Sequence, residues 1–168
     1  MAAPVHIIGL GSPNGLDQVG WRLVDALGEY LPDEYFEPGL VVTGNCAAPA
    51  LLPAMVADAE RVLLVDALSG PHAAGAVCRI DPGELARFAG VASSHGIDLQ
   101  QALLLLESLS VAPPRSIIFG IGTGVHATDN PESGIDTVTA AALPALVAAV
   151  ETDIRTFLTA RSLLPQAG

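Results

Sequence analysis

The sequence predicts an α/β protein, a three-layer α/β/α domain around a central, mainly parallel five-stranded sheet. Three observations predict it. Strand-like apolar runs alternate with helical patterns along most of the chain, the arrangement that yields a parallel sheet covered on both sides. The third run, Arg61-Val62-Leu63-Leu64-Val65-Asp66-Ala67-Leu68, is almost continuously apolar, as in a strand buried on both faces. Short polar stretches fall where apolar runs stop, which is where open α/β sheets gather ligands.

Val5–Leu10 reads as the first strand. From Val19 to Leu31, apolar residues at 19, 23, 24, 27, 30 and 31 mark one helical face, and Pro32 ends the helix. Leu40–Thr43 is a short second strand. Pro49–Ala59 follows as a helix, with Pro49 tolerated in its first turn. After the third strand, Ala76–Ile80 is a fourth, followed by a turn at Asp81-Pro82-Gly83 and a short helix to Phe88. Asp98 is placed to cap a helix through Ser108. Pro113-Pro114 punctuates, and Ser116–Ile121 is the fifth strand. A loop rich in Gly, Asp and Pro runs from Gly122 to Gly134. Asp136 is then expected to cap a long helix to Leu158, bent near Pro144. Residues 159–168 lack periodicity and are expected to fray, leaving 1–158 as a single domain. There is no internal repeat and no linker.

At 168 residues the chain is long enough to bury a substantial core. It is 51% apolar, mostly Ala, Leu and Val, and only 4% aromatic, which favours tight helix–sheet packing over a ring-walled pocket. A net charge of −11 argues against nucleic acid and against anionic membrane surfaces. The uncharged stretch Leu40–Ala57 is broken by Gly44, Asn45, Pro49 and Pro53, so it is not read as a membrane span. No secretory leader pattern opens the chain. Cys46 and Cys78 form neither a CxxC pair nor a disulfide framework and read as small buried hydrophobes. A reducing, cytoplasmic setting is expected.

Three polar breaks carry the chemistry. They are Gly11-Ser12-Pro13-Asn14-Gly15-Leu16-Asp17-Gln18-Val19-Gly20, then Val65-Asp66-Ala67, then Ser93-Ser94-His95-Gly96. Two carboxylates and an imidazole could hold a metal or pair as acid and base. In a 2-1-3 strand order, the first and third strands are neighbours about 4.8 Å apart, so Asp17 and Asp66 would share one crevice. Each residue also has a plainer reading. Asp17 suits a helix N-terminus, Asp66 needs only a hydrogen bond or ion pair, and His95 could serve a loop or cap. His6 sits within a strand and reads as structural; His72 and His126 lie in turns.

Other chemistries lack their motifs. Gly9-Leu10-Gly11 would need glycine at position 14 to bind a dinucleotide, where the chain has Asn14, and no acidic residue ends the second strand. Phosphate-loop GK[ST], GxSxG and HExxH are absent, and neither cysteine has a histidine partner apparent from sequence.

The ordered set resembles the [NiFe]-hydrogenase maturation endopeptidases. Gly9-Leu10-Gly11-Ser12-Pro13-Asn14-Gly15-Leu16-Asp17-Gln18-Val19-Gly20-Trp21 is similar to that family's glycine/acidic motif, and Leu64-Val65-Asp66-Ala67 to its second acidic motif. Ser93-Ser94-His95-Gly96, with the leucine-rich Leu99–Leu106, resembles its histidine motif. Phe119-Gly120-Ile121-Gly122 fits its late strand. The family commonly has two successive acidic residues in the first motif; this chain has Leu16-Asp17, with Asp17 at the metal-facing position.

The resemblance implies a cytoplasmic, aspartic-type peptidase that removes the C-terminal extension of a [NiFe]-hydrogenase large-subunit precursor after nickel insertion. It implies metal recognition by Asp17, Asp66 and His95, with Asp17 or Asp66 assisting water attack. Nickel would be carried by the substrate, with no organic cofactor and neither nucleic acid nor membrane as partner. Two rival readings are a non-catalytic nickel-checkpoint module, suggested by Leu16, and a small α/β hydrolase of unrelated substrate.

Overall fold

A computed structural model of the chain describes residues 4–37, 39–68, 72–82, 84, 115–124 and 131–163. The strands are β1 (Val5–Leu10), β2 (Val41–Cys46), β3 (Arg61–Leu68), β4 (Val77–Ile80) and β5 (Arg115–Gly122). They form one five-stranded sheet in the order β2-β1-β3-β5-β4. All pairings are parallel except that of the edge strand β4 with β5. The expected three-layer α/β fold and the 2-1-3 order are therefore present. The sheet's switch point falls between β1 and β3, since β2 lies on one side of β1 and β3 on the other.

Strand alternation sorts the core into two layers. Val5, Ile7, Leu63, Val65, Ile117, Phe119 and Ile121 pack against α1 (Val19–Tyr30) and α4 (Pro131–Leu163). Ile8, Leu10, Val62, Leu64, Leu68 and Ile118 pack on the other face with Leu52 and Val56 of α3 (Leu52–Val56). β3 has residues in both layers and is buried from Val62 onward, as its apolar run predicts.

Several boundaries differ from the sequence reading, for local reasons. β2 does not stop at Thr43: Gly44, Asn45 and Cys46 pair with Ile8, Gly9 and Leu10. Asn45, which looks like a turn residue, is accommodated because its Nδ2 donates to Asp25 Oδ1 at 3.1 Å. The helix expected over Pro49–Ala59 divides into a 3-10 turn, Pro49–Leu51, and α3, which ends at Val56. A short α2 (Asp33–Phe36) follows Pro32 and was not expected; its buried Tyr35 packs into the core.

The last helix begins at Pro131, not at Asp136. Asp136 is exposed and accepts a bond from Arg22 Nη1 at 3.2 Å instead of capping. Pro144 lies within the helix without ending it. Residues 159–163, expected to fray, are helical, and Arg161 makes a two-pronged contact with Glu60 at 2.9 and 3.0 Å. The helices expected up to Phe88 and from Asp98 through Ser108 lie outside the described residues.

By length and composition alone, α4 could cross a membrane. Its residues Val138, Ala142, Leu146, Val150 and Ile154, spaced by four, instead pack into the sheet core. At its buried Asp153, Arg61 donates from Nε at 2.9 Å and Nη2 at 2.8 Å, and Arg79 adds a third bond at 3.0 Å. This bidentate geometry anchors the helix to β3 and β4.

Two glycines of α1 should respond oppositely to the same substitution. A Cβ on Gly20 would meet the carbonyl oxygens of Leu10 at 2.5 Å and Val65 at 2.7 Å, whereas Gly28 has nothing within 4 Å. Gly20→Ala is expected to destabilise by about 1–3 kcal/mol through overpacking. Gly28→Ala should stabilise by about 0.5–1 kcal/mol through helix propensity. Urea unfolding of both variants checks the contrast.

Candidate active site

The site begins where β1 ends. The Gly11 N–H donates to Cys46 O at 3.3 Å, extending the pairing of the first two strands by one residue. The chain then turns into a 3-10 segment, Gly15–Gln18, which runs directly into α1. Gly15 has φ +53°, the left-handed region that favours glycine. The Asp17 N–H donates to Asn14 O at 3.2 Å and closes the turn.

Asp17 is only 9% exposed. Ser12 Oγ donates to its Oδ2 at 3.1 Å and itself accepts from the Asn14 N–H at 3.4 Å. One carboxylate oxygen is thereby held by a short hydrogen-bonded chain, which offsets part of the cost of burying the charge. A Cβ on Gly11 would overlap the carbonyl oxygen of Asp17, so the turn can close over β1 only above glycine. Leu16, the preceding residue, is partly buried against the α1/α4 core layer. Trp21 Nε1 donates to Cys46 O at 3.4 Å and ties α1 to the end of β2.

Asp66 is 6% exposed, near the end of β3 and paired in register with Gly120. Strand alternation puts it on the face shared by Val62, Leu64 and Leu68. It is not without a partner. Thr123 donates from both its N–H and Oγ1 to Leu68 O, each at 3.1 Å, and fixes the strand's last turn of backbone.

Asp17 and Asp66 are thus both buried at the carboxyl end of the sheet, and the 3-10 segment carrying Asp17 lies beside β3. The turn rests on the α1/α4 side through Leu16, whereas Asp66 leaves β3 toward the α3 side. His95 lies outside the described residues. Among the described residues no three metal-ligating side chains form a cluster. Carboxylate oxygens can ligate a borderline divalent ion or orient a water, and a neutral imidazole would suit the same ion.

Sequence reasoning missed Ser12 as the donor to Asp17, although its place in the same polar break was a signal. It also treated the two cysteines alike. Cys46 is indeed fully buried, with Sγ donating to Ala48 O at 3.1 Å. Burial pushes its thiol pKa up. Cys78 is only half-buried, and its Sγ lies 3.9 Å from His72 Nδ1. His6, read as structural, has Nδ1 2.7 Å from Met55 O.

A five-stranded, mainly parallel sheet flanked by helices, with buried acidic residues near its carboxyl end, defines an α/β class of protein. Within that class, the chain belongs to the hydrogenase maturation protease (HycI) family, whose model matches residues 22–153. The match includes Asp66 and the position of His95 and begins just after the Asp17 turn.

Solved structures agree on the fold. The HycI protease of Thermococcus kodakarensis KOD1 superposes with a TM-score of 0.57 at 19% identity, covering 86% of this chain and 92% of its own. The HycI endopeptidase of Escherichia coli gives 0.54 at 20% identity, covering 83% and 88% respectively. The HybD protease of Thermococcus kodakarensis gives 0.51 at 18%, covering 83% and 95%. A comparison with curated proteins finds no match.

Gly11→Ala should displace the Asp17 turn and cost about 1–3 kcal/mol, measured by denaturant unfolding. In the native protein, iodoacetamide at mildly alkaline pH should label Cys78 and spare Cys46. Because the folded pKa of Cys46 is raised, its protonated thiol contributes stability fully below the ordinary thiol range. That contribution is lost as pH rises through the raised value. A pH series comparing unfolding of wild type with Cys46→Ala checks the sign.

Proposed function

We propose that this protein is a cytoplasmic endopeptidase that removes the C-terminal extension of a [NiFe]-hydrogenase large-subunit precursor after nickel insertion. The family membership supports peptidase activity in hydrogenase maturation. The observation that carries the finer reading is the burial of Asp17 and Asp66 at the carboxyl end of the sheet, where β1 and β3 adjoin.

In this reading the nickel belongs to the substrate. Asp17, Asp66 and His95 supply two carboxylates and an imidazole toward it, a donor set suited to a borderline divalent ion. Ser12 holds Asp17 Oδ2, which leaves Oδ1 for the ion or for a water. A carboxylate beside the scissile peptide can accept the proton of the attacking water, the role that makes the enzyme aspartic-type. The metal locates the precursor, and a precursor without nickel docks without being fixed for cleavage.

Leu16 bears on the rival, non-catalytic reading. Its side chain packs on the core layer and approaches Gly134 of α4, where a Cβ would lie 3.8 Å from Leu16 Cδ2. The residue anchors the turn, so its lack of charge says nothing against cleavage.

Purified protein should shorten nickel-loaded precursor and leave nickel-free precursor intact, read by intact mass. Asp66→Ala should lose at least about a hundredfold in cleavage rate while keeping the native circular dichroism. Binding of loaded precursor with no shortened product from wild type would sink the peptidase assignment for this chain. Leu16→Asp should lower stability by about 1–3 kcal/mol, because it buries a charge against apolar neighbours, and should create no new activity. Thermal unfolding and the same mass assay test it together.

A further inference from the structure

We infer that His72 and Cys78 form a binding site for a soft or borderline divalent transition-metal ion, at the edge of the sheet and distinct from Asp17 and Asp66. The two side chains stand at either end of the turn that leads into β4. Cys78 Sγ and His72 Nδ1 are 3.9 Å apart, and both residues are half-buried, within reach of solvent. Thiolate and imidazole ligands of a tetrahedral ion, bound at about 2.3 and 2.0–2.1 Å, stand about 3.5 Å apart. The observed separation exceeds that value by only about 0.4 Å.

The pair is held by the backbone around it. The Gly75 N–H donates to Gly122 O and the Gly122 N–H donates to Ala76 O, both at 2.8 Å, so the turn is clamped to the end of β5. Gly75 adopts φ +82° and packs against Ala141 of α4, where a Cβ would come within 2.5 Å of the Ala141 Cβ. Gly122 is the floor beneath His72: a Cβ there would lie 2.9 Å from His72 Cβ. Cys78 is paired with Gly120, which is paired with Asp66, so the thiol and the Asp66 carboxylate rise from the same face of the sheet across one glycine. Cys78 sits on a strand paired to β5 and His72 beside a clamped turn, the kind of support a preorganised ligand pair needs.

Binding displaces one proton. The Cys78 thiol loses H⁺ to solvent as its sulfur bonds the ion, neutral His72 gives the Nδ1 lone pair, and water fills the remaining positions. This chemistry selects Zn²⁺, Co²⁺ or Ni²⁺ over Mg²⁺ or Ca²⁺, which prefer oxygen.

Cobalt titration of the reduced, full-length protein tests the site. Wild type should develop thiolate-to-cobalt charge-transfer absorption in the near ultraviolet, reversed by Zn²⁺. Cys78→Ser should abolish it, His72→Ala should weaken Co²⁺ binding tenfold or more, and Cys46→Ser and Asp66→Asn should retain it. No absorption in wild type, its persistence in Cys78→Ser, or equal affinity in His72→Ala would each overturn the site and leave only a thiol–imidazole contact. Should Cys78→Ser fail to fold, alkylation decides: Zn²⁺ should slow labelling of Cys78 in wild type but not in His72→Ala, and equal slowing in both rejects the pair. None of these readouts depends on cleavage of a precursor, so the outcome is separate from the proposed peptidase activity.

Discussion

The close approach of α1 to the ends of β1 and β3 is the constraint on which the site depends. Gly20 lies against the carbonyl oxygens of Leu10 and Val65, and the carbonyl of Gly20 in turn lies against Gly9. Backbone meets backbone here, and the Asn45 side-chain oxygen fills the remaining space against Gly9. That contact sets how far the chain can travel between Leu10 and Val19, and so confines the Asp17 turn to the space over Gly11. Gly9, Gly11 and Gly20 therefore act together. Each is occupied by a neighbour's oxygen where another residue would place a carbon. Asp17, carried on that turn, is buried.

The two ends of the sheet are built differently. Arg61, at the amino end of β3, and Arg79 of β4 share the buried Asp153 and fasten α4 to the sheet. Removing one partner of such a cluster leaves uncompensated charge, so it tolerates little rearrangement. The carboxyl end shows a different set of contacts. It is held by backbone hydrogen bonds, such as Gly11 to Cys46 and Thr123 to Leu68, and by Ser12 on Asp17. Opposite charges thus fasten one helix to the sheet, and backbone hydrogen bonds hold the strand termini.

Much of this was legible in the sequence. β1 and β3 were read with their true limits because long apolar runs bounded by glycine and charge admit few alternatives. β5 was read to within one residue at each end. Alternation allowed a 2-1-3 order without requiring it, and in that order, which the sheet adopts, Asp17 and Asp66 lie at one end. The extension of β2 through Gly44-Asn45 was not legible, because the ladder with β1 and the Asp25 contact override the turn preference of those residues. The onset of α4 was misread at Asp136 for a related reason: Pro131 is a first-turn residue, and Asp136 serves Arg22. Cys78 and His72 are separated by five residues and carry no periodic signal, so only the clamp of the turn onto Gly122 brings them together. The surroundings of His95 lie outside the described residues, and its role rests on the motif.

The apolar residue at position 16 has a geometric role. In a 3-10 segment there are three residues per turn, so successive side chains diverge by about 120°. Leu16 and Asp17 consequently cannot both face the strand ends. Leu16 points into the layer shared with α1 and α4, and Asp17 turns toward Ser12. A carboxylate at position 16 would have to be solvated at the core's edge or would rotate the turn and take Asp17 with it. An apolar residue there instead uses burial to fix the rotation of the turn, and with it the direction of the one carboxylate that remains. The apolar side chain at position 16 and the direction of Asp17 are therefore linked through the same segment of backbone.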